Sequence, residues 1–534
     1  MNPPADNAPT PGRREGTIPL PDPLKDRIKA GLVAVTMAAW CFVRVWAHLL
    51  CRSQDYFSGP PILPVELLAL AVNILVLGLV IYVGIGVWMR LPRGTAAAAL
   101  ELVFLLLLVF PADFIRVQVL DWTNAQFVSF LKQPGNLLCM VAIALIVIWQ
   151  HRQAARALAL LVAVTFPLVL WLMLQIVLVW LNLLTLPGCP PAPPSPPLLH
   201  VRADQPRVVW IIFDETDYRL AFEKRPANVR LPEMDRLQGE SLCADHAYPP
   251  SDSTLLSMPI LITGRHMLAA RNNGCELNLT LPDGGATVNW SGMPSVFSEA
   301  RELGVNTALV GWYHPYGRML GGSLNYSSSY PFPLYEFGRA ATLGGAVKEQ
   351  LFCLLEPVCF RQIYIEDCEG SLADGAAVAA NPDYGLILLH LPPPHGPWVY
   401  LPEGKRFTWF GAAAPRGYFN NLMLADDELG VLRRAMERAG QWDKSWIILS
   451  ADHSWRMSQC YDGARDYRVP FLVKSAGESH LMAYSHPFNT AVLTHDLILG
   501  ILRREVRDEA GAASVLDRGK AEMPILQSQP ASSR

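Results

Sequence analysis

The feature that most constrains this chain is a series of long apolar segments near residues 30–50, 62–89, 95–111, 136–150 and 156–185. A membrane helix needs about 20 consecutive apolar residues, because only a helix of that length crosses the hydrocarbon while satisfying its own backbone. The pattern predicts five spans, the third and fourth short enough that one is read alternatively as re-entrant. Arg13, Arg14, Lys25, Arg27 and Lys29 precede the first segment, Arg90 and Arg93 follow the second, and Arg152 and Arg156 join the fourth to the fifth. The alternate loops hold only Arg52 in one and Arg116 and Lys132 in the other. The positive-inside rule then sets the N-terminus in the cytoplasm and everything after residue 186 outside it. The polar first residues do not resemble a cleavable leader, so the first span is expected to stay as an anchor.

With 51% hydrophobic residues and a mean hydropathy of +0.22, the 534-residue chain matches a membrane part joined to a globular one. A net charge of -3 with scattered Lys and Arg excludes an obvious nucleic-acid partner. The reading divides the chain into a transmembrane domain at 1–186, a proline-rich linker at 187–205, a catalytic domain at 206–510 and a mobile tail at 511–534. "LPGCPPAPPSPP" at 186–197 forbids regular helix or sheet and favours a stiff spacer. Outside the cytoplasm Cys243, Cys275, Cys353, Cys359, Cys368 and Cys460 are disulfide candidates of undetermined pairing, with Cys189 left over.

Beyond the linker, short apolar strands at 207–213, 306–312, 385–391, 445–451 and 469–474 alternate with helical stretches. Such alternation predicts an α/β domain with a largely parallel sheet and a ligand site beyond the carboxyl ends of its strands. Polar residues just after strands are therefore the ones to weigh. Asp214 and Glu215 follow the first strand, and Asp452 and His453 follow the one at 445. Either pair alone reads equally well as a helix cap or surface charge, but together they offer carboxylates and an imidazole for a divalent ion.

In "SDSTLLSMPILITGR", 251–265, hydroxyls cluster ahead of an apolar turn. One reading is a helix cap, and the other is a nucleophile, Thr254, whose hydroxyl a metal ion would activate. In "HLPPPHGPWVY", His395 sits in a Pro- and Gly-bounded loop as a catalytic candidate. His390, inside the apolar run, reads as a packed histidine or a substrate contact. His314 of "GWYHPYGR" is assigned to substrate, with a surface-turn role as its alternative.

The order strand-Asp-Glu, Thr254 ahead of "LLSMPILITGR", strand-turn-His, "PHGP", and "SADHS" followed by "RVPFLVK" resembles the alkaline phosphatase superfamily, sulfatase-like branch, over most of 206–500. With apolar spans in front, the architecture is similar to that of bacterial phosphoethanolamine transferases and lipoteichoic acid synthase. The resemblance implies zinc held by Glu215, Thr254, Asp452 and His453, with Asp214 matching the first acidic ligand of sulfatases and His395 touching a second metal or the transferred group. Manganese or calcium are the other ions considered. Sulfatases carry Cys or Ser, matured to formylglycine, where Thr254 stands, which disfavours sulfate-ester hydrolysis. The loop "WRMSQCYDGARDY" lacks the Glu and His of a phosphoethanolamine transferase, which leaves donor and acceptor open.

The sequence thus predicts a bacterial inner-membrane, multi-pass enzyme that moves a phospho-substituent to an envelope lipid or glycan on the periplasmic side. A phosphodiesterase or sulfatase-like hydrolase, and a catalytically silent binding module, are the alternatives. Arg44, Glu66, Asn73 and Glu101 are polar residues within spans that either snorkel or line a head-group path.

Overall fold

The computed structural model describes residues 23–521 apart from 51–55, 58, 60–62, 93, 121, 123, 187, 203, 283–284, 333–341 and 478–479. The chain divides into two units, one of residues 1–47 and 64–184 and one of residues 48–63 and 185–534. Arg13, Arg14, Arg52 and Arg93, all part of the charge pattern above, lie outside the described residues, as does the tail from 522.

The first unit is helical, and its described residues hold fewer candidate spans than the five expected. Pro64–Arg90, Thr95–Val119 and Ala157–Trp180 are long and apolar enough to cross a membrane. Lys25–Cys41 and Val43–Leu50 would make a fourth span only as a pair bent by 71°. The expected span at 136–150 is the 16-residue helix Pro134–Trp149. At 1.5 Å per residue that is about 24 Å, short of the roughly 30 Å hydrocarbon core. Two of the polar residues flagged in the apolar segments, Arg44 and Glu101, have charged partners in this unit. Arg44 pairs with Asp113, which also accepts from Arg116 Nε at 2.9 Å. Glu101 pairs with His151 and accepts from Trp88 Nε1 at 3.0 Å. Such pairing offsets much of the cost of a charge in an apolar setting.

The second unit is built on a nine-stranded mixed sheet. Its strands are β1 (Val208–Phe213), β2 (Leu242–Tyr248), β3 (Thr307–Tyr313), β4 (Tyr326–Pro331), β5 (Leu386–Leu391), β6 (Trp446–Ser450), β7 (Val469–Lys474), β8 (Met482–Tyr484) and β9 (Phe488–Asn489). The order is β8-β2-β7-β6-β1-β5-β3-β4, with β9 also on β2. The block β6-β1-β5-β3-β4 is parallel, whereas β7 runs antiparallel to β6 and to β2.

Strand β1 is buried throughout, which its unbroken apolar run requires of a central parallel strand covered on both faces. Its side chains alternate by the two-residue period of a strand. Val208, Trp210 and Ile212 enter one core with the helices Thr254–Thr263 and Thr490–Leu502. Val209, Ile211 and Phe213 enter the other with the helix Arg416–Arg438.

Two segments read as unstructured are attached to this unit. The prolines of the linker keep it extended, and it lies along the domain: Leu199 exchanges two hydrogen bonds with the Asn306 side chain, and Asn325 Nδ2 donates to the Pro197 carbonyl at 2.8 Å. Cys189, read as the unpaired cysteine, forms a disulfide with Cys275, a pairing that sequence spacing alone does not disclose. Within the segment read as a mobile tail, residues up to 516 belong to the helix Glu509–Leu516, capped by Asp508 and burying Ala512, Ala513, Val515 and Leu516.

The helix Thr254–Thr263 ends at Gly264, which has φ +62° and donates its N–H to the Ile260 carbonyl. An added Cβ there would lie 2.5 Å from His495 Cγ, so this turn needs glycine for both conformation and space. Gly264→Ala is expected to cost about 1–3 kcal/mol of stability, read as a lowered midpoint of thermal or denaturant unfolding of the purified protein.

Candidate active site

Parallel register brings the carboxyl ends of β6, β1 and β5 side by side, with Ile212 opposite both Ser450 and His390. Asp214 and Asp452 lie just beyond two of these ends and His390 lies within the third. All three are fully buried. One ligand atom from each falls within 4.8 Å of the others. His453 Nε2 is 3.5 Å from Asp452 Oδ2 and 3.8 Å from Asp214 Oδ1.

Thr254 enters this cluster from a different element. It is the first residue of the helix after β2, and Ser253 before it makes no side-chain cap. The opening hydroxyl cluster therefore does not serve as a Ser253 cap. Thr254 Oγ1 lies 3.2 Å from Asp214 Oδ2 and 3.3 Å from His453 Nε2. Ser257, a rival hydroxyl, is buried and donates instead to the Ser251 carbonyl at 3.0 Å.

Two buried carboxylates in contact with imidazoles set the electrostatics. Burial penalises the Asp452 carboxylate, but His453 and His390 outweigh it and hold its pKa below the usual range. Burial likewise opposes the His453 imidazolium, and Asp452 and Asp214 more than compensate, raising its pKa. Asp214 Oδ1, Asp452 Oδ2 and His390 Nε2 are nonetheless buried without a hydrogen-bond partner, a costly arrangement for polar atoms. These orphaned atoms converge, and oxygen plus imidazole donors suit a divalent cation, so the residues fit one. Tyr316 Oη lies 2.8 Å from His390 Nδ1, the ring nitrogen opposite the one that faces Asp214. Gly311 gives the Tyr316 ring room for this approach, since a Cβ there would collide with it.

Glu215 is buried as well, but its carboxylate is held by Arg456 outside this cluster. Its backbone has φ +67°, and its N–H donates to Asp452 Oδ1 at 3.1 Å. Its carboxylate accepts from Arg456 N and Nε at 3.2 and 3.1 Å. His395 Nε2 is 4.0 Å from Glu215 Oε2 and 3.2 Å from Arg456 Nη2. Glu215, His395 and Arg456 thus form a second group beside the buried one.

His314 differs most from its assignment as a substrate contact. It is fully buried, with Nε2 3.0 Å from the Thr254 carbonyl and Nδ1 2.9 Å from Tyr56 Oη, so both nitrogens are occupied by protein. His390, also read as a substrate contact or a packed histidine, stands in the ligand cluster, because strand register rather than local polarity decides what it faces. Sequence reading missed Arg456, although it follows Asp452-His453 closely, and Tyr316, two residues from His314. It also missed Tyr56, for which no local signal exists. A cavity of about 870 Å³ lies at the amino ends of these strands beside Arg207, Gly385 and Trp446. The convergent orphaned atoms lie at the opposite end.

An α/β domain with buried carboxylates, imidazoles and a hydroxyl at the carboxyl edge of a parallel block has a group that could hold a divalent cation where such sheets bind ligands. The family model described as Sulfatase matches residues 206–502, and the chain belongs to that family; it is an enzyme of the alkaline phosphatase superfamily. No curated protein sequence matches it. Similar solved structures include a PsFucS1 sulfatase from Pseudoalteromonas sp., 15% identical over 59% of this chain and 73% of that one, TM-score 0.41. A protein in the alkaline phosphatase superfamily from Vibrio parahaemolyticus is 14% identical over 57% and 68%, TM-score 0.37. The phosphonate monoester hydrolase of Agrobacterium radiobacter is 14% identical over 54% and 72%, TM-score 0.35.

Burial pushes the His314 pKa from 6.5 down to about 3, the bond to the Thr254 carbonyl opposing the shift. Its folded-state value lies below its unfolded one, so stability from the neutral ring is fully present above about pH 6.5 and is lost as pH falls toward 3. Thermal unfolding between pH 7 and pH 4 should therefore show a steeper drop for the wild type than for His314→Gln, which has no proton to take up. Parallel slopes would contradict a neutral His314.

Proposed function

We propose that this enzyme moves a phospho-substituent through a covalent intermediate on Thr254, with an envelope lipid or glycan as acceptor. The observation that carries the reading is the hydroxyl of Thr254, at the start of a helix, within 3.3 Å of both Asp214 and His453. The unpaired N–H groups of a helix start favour negative charge, and a phosphoryl group placed there would gain from them.

In the attacking step the bond from Thr254 Oγ1 to phosphorus forms as the ester oxygen departs with the bond's electrons. The hydroxyl proton is positioned for Asp214 Oδ2 or for His453 Nε2. His453 Nδ1 faces the Ser454 carbonyl at 3.0 Å, and Asp452 and Asp214 favour its charged ring, so Asp214 Oδ2, which accepts from the Thr254 hydroxyl at 3.2 Å, is the acceptor placed for that proton. Asp214, His390 and Asp452 would hold a divalent cation, with His453 beside them. When bound, such an ion lowers the pKa of a hydroxyl and stabilises charge on a transferred group. Zinc is the family-based choice, and metal content of the purified protein tests it. At the rim, Arg456 offers a cation toward an anionic ester, anchored by Glu215.

The second half-reaction passes the group to an acceptor hydroxyl and regenerates Thr254. Phosphoryl rather than sulfuryl chemistry is favoured because Thr254 stands where formylglycine formation requires Cys or Ser. Three long apolar helices support a membrane anchor, and the Cys189–Cys275 disulfide supports an extracytoplasmic catalytic unit, since disulfides persist in oxidising compartments. Three crossings or one more decides which face the unit occupies. A reporter fused after residue 200 should be active only outside the cytoplasm, and cytoplasmic activity would reject that placement.

Thr254→Ala is expected to abolish turnover of a phosphodiester probe, a loss of at least about a thousandfold, with folding and metal content retained. Mass spectrometry of a slow-substrate reaction should find the added mass on the peptide carrying Thr254. Modification of Ser253 or Ser257, or full activity of Thr254→Ala, would refute the mechanism. Turnover of 4-nitrophenyl sulfate at the phosphodiester rate would refute the phosphoryl preference.

A further inference from the structure

Tyr56 lies in the short segment between the first apolar pair of helices and the helix beginning at Pro64, yet that segment groups with residues 185–534. Its side chain is fully buried. Arg318 donates to its carbonyl and stands 5.9 Å from its ring centroid. Three residues on, the Gly59 carbonyl accepts from the Cys189 N–H at 3.0 Å.

The Tyr56 hydroxyl is 2.9 Å from His314 Nδ1, although 258 residues separate them. On its far side the imidazole meets the Thr254 carbonyl at 3.0 Å. A carbonyl only accepts, so Nε2 must carry the hydrogen. A neutral imidazole then has its lone pair on Nδ1, and the Tyr56 O–H donates to it. The contacts therefore specify one tautomer and one direction: Tyr56 O–H to Nδ1, and Nε2–H to the carbonyl of Thr254. Trp290, Tyr313 and Tyr316 surround the ring with centroids 5.0, 5.0 and 5.4 Å away, so it has no room to turn.

We propose that Tyr56 is a positioning residue for the nucleophile: through His314 it fixes the peptide plane that carries Thr254, and hence the direction of the attacking hydroxyl. The inference rests on the reading of Thr254 as nucleophile. The Thr254 carbonyl has a second lone pair beyond the one its helix uses, so the imidazole adds a restraint at no cost to the helix. A hydroxyl that must meet phosphorus in line is sensitive to displacements near 1 Å, and a bond to the carbonyl of the same residue is a direct means of holding it. A purely space-filling tyrosine would need neither the hydroxyl partner nor the specified tautomer.

The test uses the full chain and bis(4-nitrophenyl) phosphate as probe, comparing the wild type with Tyr56→Phe, His314→Phe, the double variant and Thr254→Ala. Rates are normalised to competent sites by the amplitude of the first-turnover burst, so a lower yield of folded protein does not enter kcat. Tyr56→Phe is expected to lower kcat about 10- to 100-fold with KM and metal content unchanged. His314→Phe should lower it by a similar factor, and the double variant should be no worse than the weaker single one, because the two side chains act in series. If Thr254→Ala is inactive while Tyr56→Phe has wild-type kcat, or if the two losses multiply, the inference falls and the nucleophile reading stands. If Thr254→Ala is as active as wild type, the nucleophile reading falls and the inference falls with it.

Discussion

Two carboxylates, Asp214 and Asp452, are buried at neighbouring strand ends, and the arrangement of the catalytic unit is organised around that electrostatic demand. A buried carboxylate is tolerable only with compensation from cations or hydrogen-bond donors. Here the compensation comes from several directions: His453 from the same loop as Asp452, His390 from the adjoining strand, the Glu215 N–H from a strained turn and the Thr254 hydroxyl from a helix start. What remains uncompensated is a set of oxygen and nitrogen atoms that a divalent cation would satisfy.

The surrounding scaffold explains how such a cluster stays in place. Five parallel strands with apolar side chains on both faces hold the loop-bearing ends to a common edge. Beyond the charged cluster stands a shell of aromatic rings, with Tyr316 on His390 and Trp290, Tyr313 and Tyr56 around His314. Buried histidines in such a setting have few orientations available, so each presents a defined nitrogen to a defined partner. Beside the cluster, Glu215 is itself buried and is held by Arg456, whose half-exposed side chain meets solvent next to His395.

Much of this was legible in the sequence where chemistry and local structure coincide. Asp214 and Asp452 sit directly after apolar runs, and Thr254 opens an apolar turn, so strand-end and helix-start logic finds them without coordinates. His390 was not legible in the same way, because its surroundings depend on β1 and β5 being paired in a particular register. Tyr56 and the Cys189–Cys275 bond are further cases of contacts made across long stretches of chain, which no local pattern encodes. Hydropathy found the apolar segments but overcounted the spans, since it registers composition and not the 71° bend after Cys41 or the short length of Pro134–Trp149. The linker's prolines foretold its extended backbone, while the side chains of Asn306 and Asn325 determined where it lies.

The same linker has a mechanical meaning. Cys189 is clamped to Cys275, at the turn between the paired strands Ala269–Asn273 and Glu276–Thr280. Asn306 and Asn325 then fasten the chain again before it reaches β1. Tension entering along the backbone near residue 185 is therefore borne first by a covalent bond to that hairpin and next by a pair of asparagines. A load of this kind would meet both fastenings before it reached the strand that delivers Asp214.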